Sequence, residues 1–196
     1  MSYRIALDPG HPPHGTKALG LVESVYTWEM ANFVKSRLDH SGEPFEVQLL
    51  RLAVDEAVNL DERGRRSEAF GAELILHLHV NWNNRSDVHG CEAYYWPGNL
   101  VGQEVGDSVL RAMSDVLRHP SRVAMAARDT SAPEDDWLRN ARAVMEPHAA
   151  TSCLVELGYC SSPRDLRALL SPAVQSAICA ALMVGVACYR VIRERG

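Results

Sequence analysis

The chain carries no surplus of positive charge. Its 20 lysines and arginines stand against 25 aspartates and glutamates, a formal net charge of −5. That balance argues against a broad electrostatic footprint for nucleic acid or an anionic membrane surface. It lacks a disulfide framework as well: the five cysteines, at 91, 153, 160, 179 and 188, are odd in number and contain no CxxC pair. Synthesis in a reducing compartment is expected. Long hydrophobic runs are missing too. The longest, Ala177 to Tyr189 (AICAALMVGVACY), is thirteen residues, short for a bilayer span and suited to a buried helix. The N-terminus shows no basic region followed by an apolar stretch, because Met1 to Leu7 runs directly into Asp8-Pro9-Gly10-His11, so no signal peptide is expected. There is no internal repeat, low-complexity tract or linker. What remains is an ordinary globular composition, 46% hydrophobic and 23% charged over 196 residues. Disordered and collagen-like chains are excluded, and one domain spanning residues 1–196 is expected.

Apolar strand-like runs alternate with helical patterns. Tyr3–Leu7, Phe45–Leu50, Leu74–His79, Glu92–Trp96 and Ser152–Gly158 read as strands. The last is nearly continuous in apolar residues, as expected of a strand buried on both faces. Helices are expected over Val22–Leu38, Leu60–Gly71, Leu100–Arg118, Pro163–Leu170 and Pro172–Arg193. Leu60–Gly71 reads as a charged surface helix, with Arg63, Arg65 and Arg66 on a solvated face. Residues Arg118 to Asp136 read as an irregular loop. The alternation predicts an α/β fold, a mostly parallel sheet with helices on both faces.

In such folds function collects at the carboxyl ends of the strands. Three of these ends carry ionisable residues: His11, His79 and Glu156. A fourth ionisable residue, Glu23, opens the first helix twelve residues past His11. Two imidazoles and a carboxylate with one open position form a common catalytic zinc set, and a further carboxylate can take a proton from water. His77 lies two residues before His79, so both point to the same face of the strand and either could ligate. His14 is a solvated loop residue on its face value. Cys160, close to Glu156, reads as a buried thiol and not a nucleophile, since no oriented Cys–His pair is visible. Trp28, Trp82 and Trp96 read as core and not as sugar platforms, with Trp82, just past His79, the one nearest a groove.

The blocks IALDPGH, GLVES, LILHLHVN, GCEAYYWP and SCLVELGY, in that order, resemble the signature blocks of zinc-dependent N-acetylmuramoyl-L-alanine amidases of the type-3 family. These are cell-wall hydrolases of bacteria and of phage lysins. Arg51 and the Leu60…Arg63 pair also sit where that family has an arginine and an L-x-x-R. The resemblance runs from about Ile5 to Leu170. It implies that His11, Glu23 and His79 bind zinc, with Glu23 preferred over Glu29 by its offset from Trp28 and Ala31. It implies that Glu156 is the catalytic carboxylate and His77 a hydrogen-bonded neighbour. The implied fold is a single α/β domain with a central, mostly parallel sheet of about six strands flanked by helices, like the zinc carboxypeptidases.

The implied reaction is hydrolysis of the amide between N-acetylmuramic acid and L-alanine in peptidoglycan, by a catalytic domain without a separate wall-binding module. The expected setting is cytoplasmic synthesis followed by action on the wall, as for a phage-type endolysin after holin-type release. Rival expectations are a zinc amidohydrolase or carboxypeptidase acting on a small soluble substrate, and a non-catalytic wall-binding relative. The sequence departs from the family pattern at Pro12-Pro13, where two glycines are usual, at His77, where serine is usual, and at Tyr159, where phenylalanine is usual. None of these changes removes an implied ligand.

Overall fold

Side-chain alternation sorts the strand residues into one apolar set and one set that mixes apolar with ionisable residues, and the fold gives each set its own face of a sheet. The computed structural model describes residues 2–11, 17–18, 20–117, 125–126 and 150–195. In chain order the elements are β1 (Tyr3–Pro9), the short pair β2 (Lys17–Ala18) and β3 (Leu21–Val22), then α1 (Glu23–Asp39) and β4 (Phe45–Leu49). There follow α2 (Leu60–Phe70), β5 (Leu74–Asn81), β6 (Glu92–Tyr95), α3 (Leu100–Leu117) and β7 (Met125–Ala126). The chain closes with β8 (Thr151–Tyr159), α4 (Pro163–Leu169) and α5 (Pro172–Arg195).

Six strands form one sheet in the order β4-β1-β5-β8-β6-β7. The pairs β1–β4, β1–β5 and β5–β8 are parallel, β6 runs antiparallel to β8, and β7 is parallel to β6. The expected single α/β domain with a mostly parallel sheet is the fold observed. β7 lies inside the stretch expected to be an irregular loop: Met125 and Ala126 pair with Tyr94 and Tyr95 as a two-residue edge strand. The rest of Arg118 to Asp136, and the Pro12-Pro13 and His14 segment, lie outside the described residues.

Ile5, Leu7, Leu74, Leu76, Leu78, Cys153, Val155 and Leu157 occupy alternate strand positions and join Met30, Val34, Val109, Leu182 and Val186 of α1, α3 and α5 in the main core. The other positions of the same strands bring Ala6, Asp8, Ile75, His77, Ser152 and Glu156 to the opposite face, where all are buried. Helix α2 covers part of that face through Arg63 and Ser67, its two buried residues. Asn59 caps α2 by accepting from the Glu62 N–H at 2.8 Å, and Gly71 ends it in the left-handed conformation at φ 66°.

Helix α5 runs well past the apolar run seen in the sequence, to 24 residues. By length and composition it is the one helix among the described residues apolar enough to cross a membrane, with a mean hydropathy of 1.6 over its best window. In this fold Ile178, Cys179, Leu182, Val186 and Tyr189 are buried in the core.

Candidate metal centre

The ends of β1 and β5 and the first turn of α1 meet at one point. Gly10 follows β1, and its N–H donates to the Leu78 carbonyl at 2.8 Å, which draws the next residue over the end of β5. Only a glycine fits there: a Cβ at position 10 would lie 2.6 Å from Cε1 and 2.7 Å from Nδ1 of His79. His11 then adopts φ 57°, the sole positive φ of a non-glycine residue among the described residues. Glu23, first residue of α1, is buried, and its Oε1 is 3.3 Å from His11 Nε2 and 3.2 Å from His79 Nδ1. The Val80 N–H donates to the same oxygen at 3.0 Å.

His11, Glu23 and His79 thus form a cluster in which one donor atom from each lies within 4.8 Å of the others. Burial disfavours the charged form of Glu23, yet the hydrogen bonds from His11 and His79 outweigh it and hold the carboxyl well below the usual range. The second oxygen, Glu23 Oε2, is buried with no hydrogen-bond partner. A buried carboxylate oxygen without a donor is costly unless a cation takes that place. Two imidazole nitrogens and one carboxylate, whose second oxygen is orphaned, fit a zinc ion.

His77 stands outside the cluster. Its Nδ1 is 2.8 Å from Asp8 Oδ2, and Arg63 Nη1 donates to Asp8 Oδ1 at 2.6 Å. Burial pushes the Asp8 carboxyl up, but the Arg63 charge and the His77 hydrogen bond prevail and bring it down to about 2. Arg63 therefore corrects the expectation of a solvated arginine face: it is 3% exposed, whereas the Arg65 side chain is 70% exposed. Arg51 is completely buried, and burial together with the Arg63 charge pushes its guanidinium down to about 10, still charged at neutral pH. Sequence reasoning noted the position of Arg51 without a role and read Arg63 as solvated. The available signal was the i, i+4 pair Arg63 and Ser67, which places both on one side of α2.

Glu156 lies on β8 directly opposite His79 in the strand register and is 3% exposed. One step later the register slips: Asn81 pairs with Tyr159, so β8 holds one more residue than β5 between the two pairings. The bulge contains Gly158 at φ 150°. It turns Tyr159 so that its hydroxyl donates to Glu92 Oε1 at 2.8 Å. Glu92 faces Glu156 from β6 and also accepts from the Tyr94 hydroxyl at 2.7 Å and from Asn81 Nδ2 at 3.1 Å. A row of His79, Glu156 and Glu92 thus crosses three adjacent strands. Glu92 is a residue that sequence reasoning passed over, although its two-residue spacing from Tyr94 puts both on one face.

Glu29 does not join the cluster. Burial pushes the Cys160 thiol up to about 11, which removes it as a nucleophile at neutral pH. Trp82 is 52% exposed just past the end of β5, which corrects its reading as a core residue.

A family model described as N-acetylmuramoyl-L-alanine amidase matches residues 5–188. The N-acetylmuramoyl-L-alanine amidase CwlM of Bacillus licheniformis is 31% identical over 97 residues, 48% of this chain and 37% of the relative. A sporulation-specific N-acetylmuramoyl-L-alanine amidase of Bacillus subtilis is 30% identical over 96 residues, 48% of this chain and 36% of the relative. The matched region is little more than a third of either relative's length. The solved N-acetylmuramoyl-L-alanine amidase of Clostridium difficile 630 superposes with a TM-score of 0.82 at 18% identity, covering 100% of this chain and 99% of that one.

Proposed function

We propose, for a chain that belongs to the type-3 N-acetylmuramoyl-L-alanine amidase family, that it hydrolyses the amide joining the lactyl group of N-acetylmuramic acid to L-alanine in peptidoglycan. His11, Glu23 and His79 are assigned to a zinc ion and Glu156 to proton transfer. The observation that carries this reading is the convergence of two imidazoles and a buried carboxylate with an orphaned oxygen, with a further buried carboxylate opposite His79 on the neighbouring strand.

Bound zinc would supply Lewis acidity to the site. The work of this chain's own groups follows from their placement. Glu156, as a carboxylate, accepts a proton from the attacking water and returns it to the nitrogen of the departing L-alanine. Burial excludes bulk water around Glu156 and keeps the proton available to the leaving group. Glu92 accepts from two tyrosine hydroxyls and one amide, so it serves as a fixed neighbour of Glu156.

The test is metal analysis of the purified protein together with mass spectrometry of digested peptidoglycan. Stoichiometric zinc and new L-alanine amino termini on free stem peptides are expected. Intact walls with cleavage of a small soluble amide would favour a small-substrate amidohydrolase, and wall binding without cleavage a non-catalytic relative. Glu156→Gln is expected to keep zinc and to lose at least about a hundredfold in wall lysis, the scale of a lost general base. Near-parental lysis would make Glu156 a structural residue. The lysin form of the reading, with action on the wall after holin-type release, predicts that the protein clears cells only once the membrane has been permeabilised.

A further inference from the structure

Four consecutive residues that carry the first candidate ligand are all gripped by two buried guanidinium groups. Arg63 donates to the Asp8 carboxylate at 2.6 Å, to the Pro9 carbonyl at 2.7 Å and to the His11 carbonyl at 3.1 Å. Arg51 reaches the Gly10 carbonyl at 3.5 Å and also donates to the carbonyl of Ser24, the residue after Glu23. Its other hydrogen bonds go to the carbonyls of Ala53 and Val54, at 3.3 and 2.8 Å. Among the described residues Arg51 has no ion pair at all, although a fully buried arginine without a carboxylate is an expensive choice. Ordinary packing does not call for it. A demanding backbone does: His11 must hold φ 57°, a conformation rarely adopted by a residue with a Cβ.

We propose that Arg51 and Arg63 are positioning residues for the metal centre, fixing through the carbonyls of Pro9, Gly10, His11 and Ser24 the backbone that presents His11 to Glu23. The planar fork matters, since one guanidinium must reach two carbonyls from different elements, which a lysine ammonium on a flexible stem does not reproduce. The arginines touch neither metal nor substrate. They act by setting the site in advance of the ion, as groups behind a ligand commonly do. The inference rests on the assignment of His11 and Glu23 as ligands.

Arg51→Lys and Arg63→Lys, with the exposed Arg65→Lys as control, are titrated with zinc against a chromogenic chelator and loaded with cobalt(II) for visible spectroscopy. The two buried variants are expected to bind zinc about tenfold to a hundredfold more weakly and to show an altered cobalt spectrum, and the control to match the parent. A lower melting temperature with parental zinc affinity and cobalt spectrum would mean structural support alone and would overturn the proposal. If the parent itself binds no zinc, the ligand assignment fails instead. Should the lysine variants not fold, hydrogen exchange on the parent decides. The Gly10 amide is expected to be equally protected with and without zinc, and a large gain on adding zinc would show that the ion, not the arginines, orders the loop.

Discussion

His77 and His79 are the same residue type on the same face of one strand, and their surroundings divide them. His79 Nδ1 meets Glu23, while His77 Nδ1 meets the Asp8 carboxylate, which can only accept, so His77 donates from that nitrogen. Burial lowers the pKa of His77 and keeps the ring neutral in spite of Asp8. His79→Ala is therefore expected to abolish stoichiometric zinc binding. His77→Ala should retain zinc but lose roughly 1–3 kcal/mol of stability, because Asp8 Oδ2 is left buried without its donor. Zinc content and a denaturant melt on the two variants check this, and the opposite pattern would reverse the assignment on β5. Gly10→Ala is expected to impair zinc binding as severely as loss of a ligand, since the methyl group would occupy the space of the His79 ring. The candidate ligands His11, Glu23 and His79 were legible through the resemblance of their sequence blocks, whereas position alone left His77 and Glu29 as alternatives. Arg63 was not: in LDERGRRSEAF it is one charge among many, and only packing against Asp8 separates it from Arg65.

The long elements were legible because each carries several periods of its own hydrophobic pattern. β1, β5 and β8 all run further than the apolar residues alone suggest, since their last positions are held by ladder bonds and by polar side chains such as Asp8, Asn81 and Tyr159. The strands β2, β3 and β7 were not legible, as two-residue strands are too short to show a period of two. The bulge in β8 was likewise hidden, although it decides that Tyr159 meets Glu92. Helix packing leaves a sharper signature at Gly185 of α5, where an added Cβ would overlap the Val109 Cγ2 methyl of α3. Alanine at a helix interior normally stabilises by up to about 1 kcal/mol over glycine. Here the stiff valine cannot move aside without displacing the core, so Gly185→Ala is expected to destabilise by about 1–3 kcal/mol, the usual cost of overpacking. A melting temperature at or above the parent's would show that α3 and α5 separate freely.

Across the whole molecule the sheet divides stability from chemistry. One face is a continuous apolar core under α1, α3 and α5, and the other buries Asp8, His77, Glu92 and Glu156. Acid should therefore act through the polar face, in two windows that can be told apart on metal-free protein. His77 has its pKa lowered from 6.5 in the fold, so below that value the unfolded chain takes up a proton that the folded chain refuses. Stability therefore drops as the pH is lowered through that window. Asp8 is also lowered, from 3.8 to about 2. Its contribution is fully present above 3.8 and is lost as the pH drops through about 2, in total roughly 2–3 kcal/mol, because one pKa unit corresponds to about 1.4 kcal/mol. Denaturant melts of parent and Asp8→Asn at successive pH values measure the difference. The neutral amide of this variant cannot form the charged pair with Arg63, so it is expected to be less stable than the parent at about pH 6, with the gap narrowing as the pH falls below about 4. A gap that stays constant down to about pH 2 would mean that Asp8 contributes through packing and hydrogen bonds alone, and that the Arg63 charge is balanced elsewhere on the face.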